Sequence, residues 1–264
     1  MWSGRGSDRR RHRCAVTALG AAAVAALGAC GSGSDVDRER ERTNPPPRLA
    51  FGATESDFDA RSFSDPTRID NRWSPLVPGT RFVYEGRANR GEGRLPHRVV
   101  FTVTDLTKVI NGVRSVVLWD RDFNGGRLRE GELAFHAQDD HGNIWNMGEY
   151  PEEYERGRLR GAPDTWIAGL AGAKPGILMR GLPRTGTSSY LQGWAPAIEF
   201  SDRAKVHRTG AARLRAGGVL AHVLVTDESK PLEPADGHQR KCSARRGQPP
   251  RRSGRRPGEG GPGS

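Results

Sequence analysis

The chain has 264 residues, 42 Lys and Arg against 31 Asp and Glu, 35 Gly, 18 Pro and three Cys. Its longest apolar run, Ala15 to Ala29, falls short of the ~20 residues that a spanning helix needs. Three Cys make no disulfide framework. A polytopic membrane protein and a disulfide scaffold are therefore excluded. The net charge of +11 lies mostly at the two ends, because residues 31–241 hold 31 basic against 29 acidic side chains. A nearly neutral body has no electrostatic reason to seek a polyanion, so no nucleic-acid partner is expected.

Residues 1–30 read as a lipoprotein signal peptide. Arg5, Arg9, Arg10, Arg11 and Arg13 form a positive n-region, and Ala15 to Ala29 has the length of a signal h-region. The run ends in Leu27-Gly28-Ala29-Cys30, which resembles the bacterial lipobox. Cleavage before Cys30 and diacylglyceryl transfer to its thiol supply the two acyl chains that stable anchoring requires. The lipidation site is Cys30, its partner is membrane lipid, and the expected address is the extracytoplasmic face of the cell membrane. The alternative is an ordinary secretory signal with Cys30 incidental. Residues 31–50 form a flexible linker, from Gly31-Ser32-Gly33-Ser34 through Pro45-Pro46-Pro47. With Cys14 removed in the leader and Cys30 acylated, residues 31–241 carry no free thiol, as suits an oxidising compartment.

Residues 51–241 read as a mainly β domain, an antiparallel meander forming a curved sheet or barrel-like domain with few short helices. Arg81 to Glu85 alternates after the turn dipeptide Pro78-Gly79, with Phe82 and Tyr84 on one face. His97 to Ile110 carries Val99, Phe101 and Val103 on one side. Asn111-Gly112 suits a type I′ turn, which needs φ > 0 at both central residues. Val113 to Asp120 follows, with Val113, Ser115, Val117 and Trp119 on one face, and then a turn at Asn124-Gly125. Leu128 to Gln138 and Asn143 to Tyr150 pair around Asp140-His141-Gly142-Asn143, with Leu133, Phe135 and Ala137 inward. Asp164 to Leu170 is the one short helical turn expected. Late strands are expected at 197–206 and 218–226.

Three stretches carry a resemblance. The first is Phe58-Asp59, Phe63-Ser64-Asp65-Pro66, Ile69-Asp70-Asn71 and Pro75-Leu76-Val77-Pro78-Gly79-Thr80-Arg81-Phe82-Val83-Tyr84-Glu85-Gly86. The second is Ala137-Gln138-Asp139, Gly142-Asn143-Ile144-Trp145 and Gly148-Glu149. The third is Val223-Leu224-Val225-Thr226 with Pro231-Leu232-Glu233-Pro234. Together they resemble an uncharacterised lipoprotein family of high-GC actinobacteria. The resemblance implies an envelope address and a β-rich domain, and no chemistry. Members of that family continue past Lys241 with a final strand and turn. Here residues 242–264 are rich in Arg, Pro, Gly and Ser and read as a disordered basic tail. Two origins remain open: a natural tail that holds anionic envelope polymers, or a reading-frame shift near Ala244.

Candidate chemistry is sparse. Asp120-Arg121-Asp122-Phe123-Asn124-Gly125 matches the opening of a calcium loop, but the twelfth position is Gly131, between Glu130 and Glu132, so a hairpin turn is favoured. Asp139-Asp140-His141 with His136 has no second metal-ligand pair and reads as a solvated hairpin tip. Glu149, Glu152, Glu153 and Glu155 read as a solvated acidic loop, with glycosidase chemistry only if two carboxylates face each other. Ser188-Ser189 lacks a nucleophile elbow, and His222 reads as a sheet residue. Trp73, Trp119, Trp145, Trp166 and Trp194 either line a ligand cavity or sit in a β core. No cofactor or metal is expected. The favoured reading is a lipid-anchored envelope protein that binds a partner or an apolar ligand without catalysis. A glycan-acting hydrolase and a purely structural protein are the alternatives.

Overall fold

The computed structural model describes residues 58–89, 92–213, 219–231 and 238–244. Cys30, the linker and residues 245–264 lie outside the described residues. Twelve strands follow in order: β1 (Arg81–Asn89), β2 (Arg94–Ile110), β3 (Val113–Asn124), β4 (Arg127–Gln138), β5 (Ile144–Glu155), β6 (Arg158–Gly161), β7 (Trp166–Ile167), β8 (Lys174–Met179), β9 (Tyr190–Ala195), β10 (Phe200–Arg213), β11 (Val219–Ser229) and β12 (His238–Ala244). They form one antiparallel sheet in the order β1-β2-β3-β4-β5-β8-β9-β10-β11-β12, with β6 and β7 also pairing β5. The sheet curls into a half-barrel, the curved antiparallel meander that the strand pattern implies.

Local turn chemistry sets much of this meander. Asn111 and Gly112 adopt φ 48° and 82° between β2 and β3, as a type I′ hairpin requires. The next turn sits one residue later than expected. Asn124 pairs with Arg127 as the last residue of β3, and Gly125 and Gly126 supply φ 58° and 76°. That shift of one residue keeps the Asn124 side chain inside the sheet. Asp164 to Leu170 is not helical. It holds β7, and the left-handed Gly169, Ala171 and Gly172 (φ 88°, 48° and 77°) prevent a helix from continuing. The only helical pieces among the described residues are two 3-10 turns, Ala60–Ser62 and Pro196–Ile198. The second displaces the start of the late strand to Phe200. The last strand, β12, runs three residues past Lys241 and places Cys242 against Leu220, Val223 and Val225.

The sheet has apolar surface on both faces. On the concave face Val99, Val103, Val116, Leu118, Ala134, Ile144, Val206 and Leu224 form a core that Ile69 and Leu76 cover. On the convex face Val117, Phe135, Ala137, Trp145 and Trp166 pack under Phe58 and Phe63, with Phe58 edge-on to Trp145 at 5.4 Å. Residues 58–80 thus wrap one end of the half-barrel. Beyond their reach no described residue closes over the convex face. Trp119 and Leu133, expected inward, are 40% and 37% exposed there. Val117 and Phe135, at the same parity, belong to the cluster on which Phe58 and Phe63 pack.

Candidate functional site

Along β3 and β4 the concave face changes from apolar to acidic. Val116 and Leu118 are followed at the same parity by Asp120, Asp122 and Asn124, which are 3%, 1% and 1% exposed. Ala134 is preceded by Glu132 and Glu130, both buried. The stretch read as a candidate calcium loop is therefore strand, and its side chains share one face at about 6.6 Å spacing. Gly131, at the twelfth position of that loop, falls on the opposite parity, near Tyr154.

The register brings like charges together. Asp120 pairs Glu132, and Asp122 pairs Glu130. Glu130 in turn pairs Glu153 of β5. Directly opposed like charges destabilise a sheet. Two unit charges about 5 Å apart repel by about 3 kcal/mol at an effective dielectric of about 20, more than an ordinary net hydrogen bond of about 1 kcal/mol contributes. Of the neighbouring groups, His97 sits 3.5 Å from Asp122 through its Nδ1 and pairs Asn124 in the register. Tyr84 on β1 has its phenol pushed up by burial and by the charge of Asp120. Neither Nδ2 nor Oδ1 of the buried Asn124 carboxamide finds a hydrogen-bond partner.

A second group lies across the concave face. Burial raises Glu132 well above the usual carboxylate range, and Glu149, Glu130 and Asp120 add to it. Glu149 is raised by burial too. It is held in place by Asn146 Nδ2, which donates to Oε1 at 2.6 Å, and by Trp166 Nε1, which donates to Oε2 at 3.2 Å. On β10 Asp202 is pushed up to about 7, chiefly by burial, with Lys230 and Lys241 opposing. On β12 Lys241 makes an ion pair with Glu228, and Gln192 Nε2 reaches Glu228 Oε1 at 3.5 Å. Nothing in the strand pattern singles out Asp202, Glu228 or Lys241. Alternating polar residues on a strand are the ordinary mark of a solvated face, and only the curl of the sheet turns that face inward.

The other candidates separate. His136 is buried on the concave face, where desolvation holds it near 4 and therefore neutral at pH 7. His141 is exposed at the turn. Among the described residues no three His, Cys, Asp or Glu side chains are grouped to hold a metal ion. The Asp139–Asn143 turn is docked on the protein instead of solvated. Asp139 accepts from His141 N, Asn143 N, Asn143 Nδ2 and Trp145 Nε1 at 2.8–2.9 Å. Asp140 accepts from Ser64 N and Oγ at 2.9 and 3.0 Å. Asn71 donates through Nδ2 to the carbonyls of Gly142 and Arg180 at 2.8 and 3.2 Å. Ser64 and Asn71 of the first resemblance stretch thus latch the N-terminal segment onto the turn that Asp139 and Asn143 of the second stretch hold together.

The acidic stretch 149–155 is strand, not loop. Glu152 accepts from Tyr154 OH at 2.7 Å, and Glu155 pairs Arg160 at 3.2 Å. Ser189 Oγ accepts from Arg203 Nε at 3.1 Å in a structural contact, and His222 is exposed on β11. The tryptophans do not share a cavity. Trp145 and Trp166 belong to the convex-face core, Trp73 packs on the concave one, and Trp119 is stacked by Arg121 at 4.1 Å on the exposed convex face. Among the described residues no helix is long and apolar enough to cross a membrane. No protein-family model, no curated protein and no solved structure matches the chain.

Proposed function

We propose that the chain is an exported lipoprotein, held at the extracytoplasmic face of the cell membrane by a diacylglyceryl group on Cys30, whose half-barrel binds a polar ligand on its acidic concave face. The leader, with Leu27-Gly28-Ala29-Cys30, supports the address. One observation supports the binding role: carboxylates oppose carboxylates at Asp120–Glu132 and Asp122–Glu130 on a buried face. A domain selected only for stability would place apolar or oppositely charged pairs there. The apolar end of that face is packed by Ile69 and Leu76, so a polar ligand fits it better than an apolar one.

The test uses the full chain, matured in a host with lipoprotein processing and purified from membranes. Its intact mass should begin at Cys30 and include the diacylglyceryl group, and Cys30→Ser should abolish both. Native mass spectrometry after incubation with a low-molecular-mass envelope extract should show a retained ligand. Glu130→Gln should lose that ligand and the convex-face Leu133→Ser should keep it. Retention unaffected by Glu130→Gln refutes the concave-face site.

One observation favours a second reading, an envelope glycan hydrolase. Ala134 pairs Glu149 in the register, so Glu132 and Glu149 are diagonal neighbours that interact electrostatically, and the reaction needs two carboxyl groups within about 5–10 Å. Release of reducing ends from cell-wall glycan, lost in both Glu132→Gln and Glu149→Gln, is its signature.

A further inference from the structure

We infer that the exposed part of the convex face, centred on Trp119, Leu133 and Tyr150, is a seat for the surface of a lipid bilayer. The choice of partner rests on the anchored address proposed above, and the test below separates the two. Strand register builds the patch. Trp119 of β3 pairs Leu133 of β4, which pairs Tyr150 of β5, so three large side chains stand in one row on one face. The next row along the strands holds Val83, Val100, Arg121, Gly131 and Glu152. Tyr154 lies beside Gly131 and pairs Leu159 of β6. Val83, Trp119, Leu133, Tyr150 and Leu159 are each between 37% and 55% exposed. Strands about 4.8 Å apart, with same-face positions about 6.6 Å apart along each, make these side chains neighbours. Single exposed apolar side chains are ordinary, but a contiguous patch marks a binding surface.

The chemistry of the patch selects its occupant. Trp and Tyr combine an apolar body with a polar tip and settle at bilayer interfaces. Arg121 stacks on Trp119 at 4.1 Å, and Arg81 and Arg98, at the parity of Val83 and Val100, share the face. The acids there are already engaged. Glu85 lies 3.6 Å from Arg98, and Glu152 accepts from Tyr154 OH at 2.7 Å. An aromatic and aliphatic centre among arginines suits an interfacial binder, and anionic lipid headgroups complement the guanidinium groups. A small molecule calls for a concavity, and this face is convex.

The course of the chain agrees. Phe58 and Phe63 pack on the convex-face cluster that holds Val117 and Phe135, the row next to Trp119 and Leu133. The described chain thus begins on the face that carries the patch. Cys30 stands 28 positions before Phe58, and a flexible chain of that length has an r.m.s. span of about 30 Å. A diacylglyceryl group on Cys30 would therefore keep this face close to the bilayer, where even a weak surface contact is populated through its high effective concentration.

The experiment is tryptophan fluorescence of the full chain, purified from membranes, in nanodiscs of phosphatidylcholine and phosphatidylglycerol with and without bromine on the acyl chains. Bromine quenches indoles that reach the acyl region. Brominated lipid should quench part of the emission, and Trp119→Phe, which keeps an aromatic ring, should abolish that part. Leu133→Ser combined with Tyr150→Ser should at least halve it and leave the melting temperature in detergent unchanged. Quenching that is absent, or unchanged in Trp119→Phe, overturns the inference, and an intact mass with the diacylglyceryl group then leaves the anchor standing. If the mass lacks that group, the chain is added to an excess of brominated vesicles of the same composition. Trp119-dependent quenching there supports the seat and overturns the anchor, and its absence overturns both. A dimer in detergent that Leu133→Ser dissociates, without quenching, overturns the inference in favour of a second copy. A Trp119-dependent emission shift with soluble cell-wall glycan, without quenching, overturns it in favour of a saccharide.

Discussion

Replacing Asp139 by Ala should destabilise the domain more than any change at the exposed convex end. The carboxylate accepts four hydrogen bonds of 2.8–2.9 Å, two from backbone N–H groups of its own turn, one from Asn143 Nδ2 and one from the indole of Trp145. Each bond to a charged group contributes about 1.5–3 kcal/mol. The turn donors regain water when the carboxylate goes, but the Trp145 indole cannot, because that residue is only 6% exposed. The net loss should be about 3–5 kcal/mol. For a domain of this size that lowers the melting temperature by roughly 6–20 °C. Urea unfolding followed by tryptophan fluorescence measures it. Trp145→Phe removes the indole donor and shrinks the ring that packs against Phe58 and Phe63, so it should cost about 2–4 kcal/mol. In the double variant the two losses should fall short of additive by about 1 kcal/mol, since they delete the same bond. A cost below about 1 kcal/mol for Asp139→Ala, or strict additivity, refutes the reasoning.

Asp202 and Glu132 should each draw stability down as pH rises from about 4 to 8. Asp202 is held near 7 in the folded chain against 3.8 ordinarily, and Glu132 is raised as well, so these two groups bind more protons in the folded state than in the unfolded one, while His136, near 4 against 6.5, opposes them below about pH 6.5. The contribution of the two carboxyl groups is full below the unfolded values and is lost as pH passes the folded ones, for Asp202 by about 2–4 kcal/mol. Asp202→Asn should flatten the pH profile of the urea midpoint, and an unchanged profile contradicts the assignment. Gly148→Ala should misfold or lose several degrees in melting temperature, because a Cβ there meets Trp166 O at 2.7 Å with φ at +148°. Lys241→Met removes the ion-pair partner of Glu228, whose side chain is 10% exposed, and should cost about 3 kcal/mol. A neutral result would show that β12 adds nothing to the sheet. Leu133→Ser, on the exposed convex end, should change stability by less than about 0.5 kcal/mol in the same assay.

The hairpins from β1 to β5 and the late strands β10 and β11 were legible in the sequence, because they depend on local geometry, whereas β6 to β9 and β12 were not. Asn111-Gly112 needs only its own φ angles to reverse the chain, and the alternation in β2 to β5 shows in a few residues. What alternation does not carry is which face turns inward. Leu133, Phe135 and Ala137 share one parity and Glu132, Ala134 and His136 the other, and neither set is apolar throughout. Residues 58–80, distant in sequence, cover Phe135 and Ala137 and stop short of Leu133. The curl of the sheet buries Glu130 and Glu132, which alternation by itself assigns to solvent. The one-residue placement of the β3–β4 turn was a tertiary decision as well, and it puts Asn124 inside. The sequence alone determined most strands and the tight turns through backbone preference and composition. Burial of the acidic face needed long-range contacts, because the environment of a side chain is set by what packs above it and not by its neighbours in the chain.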